Sequence, residues 1–139
     1  MKALIIGYGS IGKRHADLLK DLGCLVAVLS RRAIDFSPHY LELSEALDEW
    51  QPEYVVVASR TNEHINAIES LSERGFQGRV LIEKPLFDQF KAFPENKFSL
   101  VAVAYNLRCH LLLRKLKIFL DNASGLISAN IYVGSYLPK

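Results

Sequence analysis

The chain has 139 residues, of which 50% are hydrophobic and 23% are charged, and its formal net charge is +2. These values are typical of an ordinary globular domain, and so small a net charge argues against a nucleic-acid or membrane-surface partner. Cys24 and Cys109 lie far apart without C-x-x-C spacing, which indicates reduced, buried thiols rather than a disulfide framework. No signal-peptide pattern or apolar span is visible, so we expect a cytoplasmic protein.

Predicted strands and helices alternate along most of the chain. In chain order we predict a strand at Lys2–Ile6, a helix at Ser10–Leu22, a strand at Leu25–Leu29, a loop at Ser30–His39, a helix at Ser44–Glu49, strand Tyr54–Ala58, helix Asn62–Arg74, strand Val80–Ile82, a short helix or irregular piece at Phe87–Phe93, and strand Leu100–Ala104. The strands are runs of Val, Ile, Leu and Ala without polar alternation, which is typical of strands covered on both faces. This pattern predicts an α/β fold with a doubly wound parallel sheet and helices on both faces.

The first predicted helix carries clear boundary signals. Ser10 is a candidate N-cap and Gly23 a candidate C-terminal stop. Helical spacing places four apolar side chains on its inner face, namely Ile11, Leu18, Leu19 and Leu22.

The last part of the chain departs from this alternation of strands and helices. A basic amphipathic helix at Cys109–Leu120 is followed by a single predicted strand at Leu126–Val133. An isolated strand cannot bury a face alone, so it must pair with the first sheet, with another chain or with residues absent here. We therefore assign residues 1–106 to the first domain and 107–139 to the start of a second, and we expect a homo-oligomer.

A glycine motif, G-x-G-x-x-G, joins the first strand to the first helix. Gly7 permits a tight turn, Gly9 lets the backbone approach a pyrophosphate, and Gly12 lets the helix lie close to the strand. Helix N–H groups and the helix dipole then favour an anion. The motif predicts a dinucleotide site at Gly7, Tyr8, Gly9, Ser10, Ile11 and Gly12, the alternative being a glycine-rich turn that binds nothing.

The second predicted strand ends at the sequence Ser30-Arg31-Arg32, with no carboxylate before Asp35. In this fold an acidic residue at that place selects NAD by bonding the ribose 2′-hydroxyl. A serine and two guanidinium groups instead suit a 2′-phosphate. The pattern predicts NADP(H) over NAD(H), the alternative being two solvated loop charges.

Two further motifs follow the third and fourth predicted strands. They are Ala58-Ser59-Arg60-Thr61-Asn62-Glu63-His64 and Glu83-Lys84-Pro85. Carboxyl ends of parallel strands are where open α/β sheets bind ligands. With the glycine motif, these residues resemble the glucose–fructose oxidoreductase and inositol dehydrogenase family, often written Gfo/Idh/MocA. The resemblance covers residues 1 to about 110 and continues through Tyr105–His110.

The resemblance implies an NAD(P)-binding Rossmann domain followed by a second α/β domain with the substrate site. It implies an oxidoreductase that transfers hydride between a CH–OH carbon of a sugar or cyclitol and nicotinamide. Because this chain contains only the beginning of that second domain, we expect cofactor binding with weak or absent turnover. The alternative is a dinucleotide-binding module without turnover.

The resemblance also assigns roles to residues. Lys84 becomes the candidate for proton transfer, next to both substrate and nicotinamide, and a cis Lys84–Pro85 bond is a hypothesis. Glu83 would contact the nicotinamide ribose or orient its neighbours. Cofactor contacts are assigned to Ser59, Thr61, Asn62 and His64, and substrate contacts to Asn106 and Arg108.

Two of these positions, together with His15 of the first predicted helix, keep a second interpretation. Asn62 also suits a helix N-cap, His64 a locally satisfied histidine, and His15 either packing or ligand binding. No cluster of His, Cys and carboxylates has metal-ligand spacing, so no metal is predicted.

Overall fold

The computed structural model describes residues 1–122, 128 and 130. The chain divides into two compact units, Met1–Ala104 and Tyr105–Lys139, which are described separately. The first unit contains, in chain order, β1 (Lys2–Ile6), α1 (Ser10–Asp21), β2 (Leu25–Leu29), β3 (His39–Tyr40), α2 (Leu43–Glu45, continued by a π-helical turn at Ala46–Trp50), β4 (Tyr54–Val57), a 3-10 turn (Thr61–Glu63), α3 (His64–Glu73), β5 (Arg79–Ile82) and β6 (Leu100–Val103).

The six strands described form one parallel sheet in the order β3-β2-β1-β4-β5-β6. The doubly wound parallel fold is therefore confirmed, and the five strands predicted before residue 105 lie within one residue of their observed bounds. The strand β3 was not predicted. It is only two residues long and lies in a polar, proline-containing stretch, so it has no hydrophobic period to detect.

The sheet is buried on both faces, as expected from the unbroken apolar runs. Leu4 and Ile6 of β1 point into a cluster with Ile68 and Leu71 of α3. The intervening residues of β1 point to the opposite face and pack with α1, in a cluster formed by Ala3, Ile5, Ala16, Leu19, Val26, Val28, Val56 and Ala58. Each fully buried aliphatic side chain contributes about 1.5–3 kcal/mol, so two filled faces hold this sheet together.

The inner face of α1 differs from the prediction. Gly12, Ala16 and Leu19 are buried, at the spacing i, i+4, i+7. Ile11, Leu18 and Leu22, which were expected inside, are 39%, 49% and 78% exposed. The small residues Gly12 and Ala16 let α1 lie close to the sheet, and this close approach turns the larger side chains outward.

The C-terminal end of α1 follows its sequence signal. Gly23 has φ +78°, a left-handed conformation that glycine adopts without steric cost. Its N–H donates to Lys20 O at 2.8 Å, and the Cys24 N–H donates to Leu19 O at 2.9 Å. These bonds satisfy carbonyl groups of the last turn, as in a Schellman ending.

Other local expectations need correction. Cys24 is half-buried and Cys109 is exposed, so the two thiols are not the buried pair that was expected. The stretch 87–93 is irregular, which is the second of its two predicted alternatives. Phe87 packs against the buried core, and its ring stacks on that of Phe93 with centroids 6.2 Å apart.

The second unit contains a 3-10 helix at Asn106–Cys109 and α4 at Leu111–Asp121. The predicted helix Cys109–Leu120 therefore exists, with α4 beginning two residues later than expected. The predicted strand Leu126–Val133 lies outside the described residues, apart from positions 128 and 130. Among the helices that the structure describes, none has the length and apolarity that crossing a bilayer requires.

Neighbouring leucines of α1 offer a test of its corrected face. We expect Leu19→Ala to lower the free energy of unfolding by about 2–4 kcal/mol, because it leaves a cavity between helix and sheet. Leu18→Ala is the matched control and should change it by less than about 0.5 kcal/mol. Urea denaturation followed by circular dichroism measures both, and a larger loss for Leu18→Ala would contradict this packing.

Candidate dinucleotide site

Four neighbouring strands, β2, β1, β4 and β5, end together at one edge of the sheet, here called the carboxyl edge. Beyond the strand ends, backbone bonds continue the ladder from Gly7 N–H to Leu29 O (2.9 Å), from Ala58 N–H to Ile6 O (2.8 Å) and from Glu83 N–H to Val57 O (2.9 Å). The strand order reverses between β1 and β4. Open α/β sheets bind their ligands at such a switch point, outside the carboxyl ends of the strands.

The glycine-rich loop, residues 7–12, follows β1 at this edge. Gly7 has φ +93°, and a Cβ placed on it would lie 2.6 Å from both Cα and N of Ser59. A Cβ on Gly12 would collide with Gly7 O. A Cβ on Gly9 would meet nothing within 4 Å, so Gly9 faces open space. Two of the glycines are therefore needed for packing, and the third leaves room beside the backbone.

The helix α1 begins directly after this open space. Gly9 occupies the N-cap position and Lys13 N–H donates to Gly9 O at 2.9 Å, so Ser10 is the first helical residue and not the predicted N-cap. No side-chain cap bond is formed and the first turn has no acidic residue. The N–H groups of that turn have no partner within the helix, and the helix dipole favours an anion there. An open cradle beside unpaired donors fits the pyrophosphate of a dinucleotide.

The loop after β4 supplies a second polar group. The hydroxyl oxygen of Ser59 is buried and has no hydrogen-bond partner in the described part of the chain. Buried polar atoms are nearly always paired, so this hydroxyl is a candidate hydrogen-bonding group for a bound molecule. Thr61 and Asn62 follow in a 3-10 turn. Glu63, not Asn62, occupies the N-cap position of α3, and no side-chain cap bond forms there, so the capping role expected of Asn62 is wrong.

His64 is 1% exposed and faces protein on both sides of its ring. Its Nδ1 lies 3.1 Å from Leu86 O and its Nε2 lies 3.2 Å from Ser59 O. Since both nitrogens face backbone carbonyls, the ring presents neither of them to a ligand. This geometry favours the locally satisfied histidine over the cofactor contact.

The E-K-P turn, Glu83–Lys84–Pro85, follows β5 at the same edge. Glu83 Oε1 lies 2.7 Å from His15 Nε2, and Glu83 Oε2 accepts the Lys84 N–H at 3.2 Å. The carboxylate therefore contacts both the His15 ring and the Lys84 backbone, and its two expected roles stay predictions. The Lys84–Pro85 bond is cis, as hypothesised, and the Lys84 side chain is exposed.

The residues expected to meet the 2′ end lie directly after β2. Ser30 N–H donates to Tyr40 O at 3.0 Å, and His39 Nε2 lies 2.8 Å from Ser30 O. The Ser30 hydroxyl accepts the Arg32 N–H at 3.2 Å. Arg31 and Arg32 are exposed, and within the described residues neither has an ion-pair partner. His39 was missed by sequence reasoning, because a histidine in a loop carries no signal of its partner.

Tyr8 joins the glycine-rich loop to the loop after β2. Its ring meets Phe36 edge to face with centroids 5.2 Å apart, and Lys20 Nζ lies 3.9 Å from the centre of the Phe36 ring. Burial raises the pKa of the Tyr8 phenol above 10.0, and the nearby carboxylates Asp17 and Asp35 raise it further. Phe36 was also missed, since a lone aromatic in a loop is not a site signal.

Asn106 and Arg108 belong to the second unit, where both are exposed in its 3-10 helix, and their assignment to substrate stays a prediction. Within the residues that the structure describes, no group of three His, Cys, Asp or Glu side chains could hold a metal ion.

Comparison with known proteins identifies the same fold. The family model of the GFO_IDH_MocA oxidoreductases, described as an NAD-binding Rossmann fold, matches residues 1–104. No curated protein matches the chain. The WlbA (WbpB) dehydrogenase from Thermus thermophilus, solved with NAD and UDP-GlcNAcA, is 23% identical with a TM-score of 0.67, over 90% of this chain and 48% of that one.

Two more solved structures are comparably similar. The myo-inositol 2-dehydrogenase from Lactobacillus plantarum is 22% identical with a TM-score of 0.67, over 88% of this chain and 41% of that one. The WlbA dehydrogenase from Chromobacterium violaceum, solved with NADH and UDP-GlcNAcA, is 20% identical with a TM-score of 0.69, over 87% and 39%. This chain thus spans less than half the length of each, and the likeness shows the fold.

The two glycines that border the cradle can be separated by stability. We expect Gly7→Ala to lower the free energy of unfolding by about 1–3 kcal/mol or more, because its φ is positive and Ser59 is too close. Gly9→Ala should cost about 0.5 kcal/mol or less, since Gly9 has φ −82° and ψ −168° and faces open space. Urea denaturation compares them, and equal losses would contradict the geometry of this loop.

The phenol of Tyr8 gives a pH test of the same loop. We expect its ionisation midpoint above 10.0, because burial and two carboxylates disfavour the phenolate. The difference in ultraviolet phenolate absorbance between wild type and Tyr8→Phe isolates this group. Asp17→Asn and Asp35→Asn should each lower the midpoint, whereas the exposed control Glu73→Gln should not. A midpoint at or below 10.0 would be incompatible with the described surroundings of the ring.

Proposed function

The chain belongs to the Gfo/Idh/MocA family of NAD-binding oxidoreductases, and from that premise we propose that it binds NADP(H) in preference to NAD(H). We further propose that it serves hydride transfer between nicotinamide and a CH–OH carbon of a sugar or cyclitol. The observation that carries the proposal is the convergence of three motif-bearing loops at the switch point of the sheet. These loops follow β1, β4 and β5. Gly7 lies directly against Ser59, and Glu83 contacts His15 of α1.

The glycine-rich loop and the first turn of α1 would hold the pyrophosphate. Gly9 leaves the space, and the unpaired N–H groups of Ser10, Ile11 and Gly12 supply the donors. The Ser59 hydroxyl and the following Thr61 would contact the cofactor farther along the edge. When bound, the cofactor supplies the hydride acceptor for oxidation and the hydride donor for reduction.

Lys84 is proposed to move the proton of the reaction. Its side chain is exposed at the carboxyl edge, directly after β5. In the oxidation of an alcohol, the Lys84 Nζ would take the hydroxyl proton while the carbon loses hydride, and in the reduction it would return that proton to the carbonyl oxygen. An amine at this position can also stabilise negative charge on the substrate oxygen.

The preference for NADP(H) rests on the residues after β2. A 2′-phosphate would meet the Ser30 hydroxyl and two exposed guanidinium groups that lack ion pairs among the described residues. Guanidinium groups match phosphate oxygens in a bidentate manner, and an anion there would neutralise two adjacent positive charges. Two of the similar structures hold NAD or NADH, so the preference is a claim about Ser30, Arg31 and Arg32 of this chain.

The substrate class is proposed from the family. The similar structures are named as an inositol dehydrogenase and as dehydrogenases solved with UDP-GlcNAcA. A sugar, cyclitol or nucleotide-linked sugar is the corresponding range for this chain. Asn106 and Arg108 are the proposed substrate contacts, with Arg108 suited to a carboxylate or phosphate of the substrate.

Calorimetric titration with NADPH and NADH tests the cofactor proposal. We expect tighter binding of NADPH, and Arg31→Ala should weaken it about 10- to 100-fold, because a charge-assisted hydrogen bond contributes about 1.5–3 kcal/mol. NADH binding should change less than about 3-fold. The control is Arg79→Ala, which also removes one arginine charge. Arg79 lies at the start of β5, at the end of the strand away from the carboxyl edge. Tighter NADH binding in wild type would overturn the NADP(H) preference.

Turnover separates the oxidoreductase from a binding module. The formation of NADPH from NADP+ in the presence of polyols, sugars or UDP-sugars is followed by its absorbance, with Lys84→Gln as the inactive variant. Turnover that depends on Lys84 supports the enzyme. Tight NADPH binding without turnover on any of these alcohols identifies a dinucleotide-binding module.

A further inference from the structure

Glu83 uses its two carboxylate oxygens for different partners. Oε1 lies 2.7 Å from His15 Nε2 of α1, and Oε2 accepts the backbone N–H of Lys84 at 3.2 Å. The side chains of His15 and Glu83 are 19% and 12% exposed. A short contact between an imidazole N–H and a carboxylate, shielded from water, is among the stronger polar contacts in proteins. One carboxylate thus connects a turn of α1 to the backbone of Lys84.

This contact is not needed to place β5 in the sheet. The end of that strand is already held by the Glu83 N–H, which donates to Val57 O at 2.9 Å. The parallel pairing of β5 with β4 and β6 also fixes its register. Lys84 lies beyond the end of β5, where strand pairing no longer constrains the backbone. The Glu83 carboxylate supplies an additional contact at this position.

A second histidine holds the other end of the E-K-P turn. The buried ring of His64 lies between Leu86 O, at 3.1 Å from Nδ1, and Ser59 O, at 3.2 Å from Nε2. Leu86 is the second residue after Lys84. The backbone therefore contacts α1 on one side of Lys84, through Glu83 and His15, and the buried His64 ring of α3 on the other. A neutral imidazole has one N–H, which can donate to Leu86 O or to Ser59 O. Between these two attachments the Lys84 side chain remains exposed.

We propose that Glu83 and His15 are positioning residues for Lys84. They fix the position of the Lys84 backbone relative to α1, the helix whose first turn faces the open space at Gly9. The inference rests on the proposed function, because it gives Lys84 and the N-terminus of α1 their roles. Its consequence is specific: the dinucleotide and the proton-transferring amine are held at a fixed separation through one imidazole–carboxylate contact.

The test follows the amine of Lys84 directly. Lysine side chains of the full chain are dimethylated with carbon-13 formaldehyde, and the Lys84 signal is assigned with Lys84→Arg. We expect NADP+ to shift this signal in the wild type. In His15→Ala the signal should move in the cofactor-free protein, and its response to NADP+ should fall at least about 2-fold. The affinity for NADP+ should change less than about 3-fold, since His15 is not in the first turn of α1.

Conservative variants separate positioning from a general loss of structure. His15→Gln keeps an N–H donor near the place of Nε2 and should restore the Lys84 response, whereas a purely packing role would not be rescued by it. Glu83→Ala removes both acceptor oxygens and should reproduce the defect, so it decides the case if His15→Ala fails to fold. The control His110→Ala removes an exposed histidine of the second unit and should change nothing.

The outcomes separate this inference from the proposed function. If the His15→Ala and Glu83→Ala variants fold and leave the Lys84 signal unchanged, while the wild-type protein binds NADP+, the positioning role alone is overturned. A wild type that binds neither NADP+ nor NADPH would overturn the proposed function. In that case the cofactor-free spectra still decide whether His15 and Glu83 position Lys84.

Discussion

Close backbone approach at the glycine-rich loop is the constraint on which the rest of this unit depends. Three segments meet there without room for a side chain, namely the end of β1 at Gly7, the loop after β4 at Ser59, and α1 at Gly12. Gly12 and the buried Ala16 together let α1 lie against the sheet, with its N-terminus at the carboxyl edge. A methyl group at either tight glycine would push these segments apart, and the donors of α1 would no longer face the space beside Gly9.

The parallel sheet extends this local constraint across the whole edge. Because every strand runs in the same direction and each pairs in register with its neighbour, residues distant in sequence end side by side. His15 and Glu83 are 68 positions apart yet lie in direct contact. The site is therefore a property of the folded sheet, and it combines an anion cradle, an unpaired hydroxyl and an exposed amine that no single segment contains.

Sequence reading succeeded where the physical signal is local. Unbroken runs of Val, Ile and Leu identify strands covered on both faces, and glycine at Gly7 and Gly23 coincides with positive φ. It failed for the inner face of α1, because hydrophobicity alone favours Ile11 and Leu18 over Gly12 and Ala16. The distance between helix and sheet decides that face, and this distance is set by tertiary packing rather than by the apolar period of the helix.

In the candidate site, the sequence predicts which residues are present but not which groups they contact. Motif spacing predicted that Ser59, Lys84 and the glycines belong to loops that follow parallel strands, and strand direction then brings these loops together. It could not predict that His15 contacts Glu83 or that His64 is enclosed by two carbonyl groups, because a histidine presents the same sequence whether it binds a ligand or supports a loop. The polar residues of this edge thus divide by burial. The two imidazoles and the Glu83 carboxylate lie against protein groups, whereas the amine of Lys84 is exposed at the same edge.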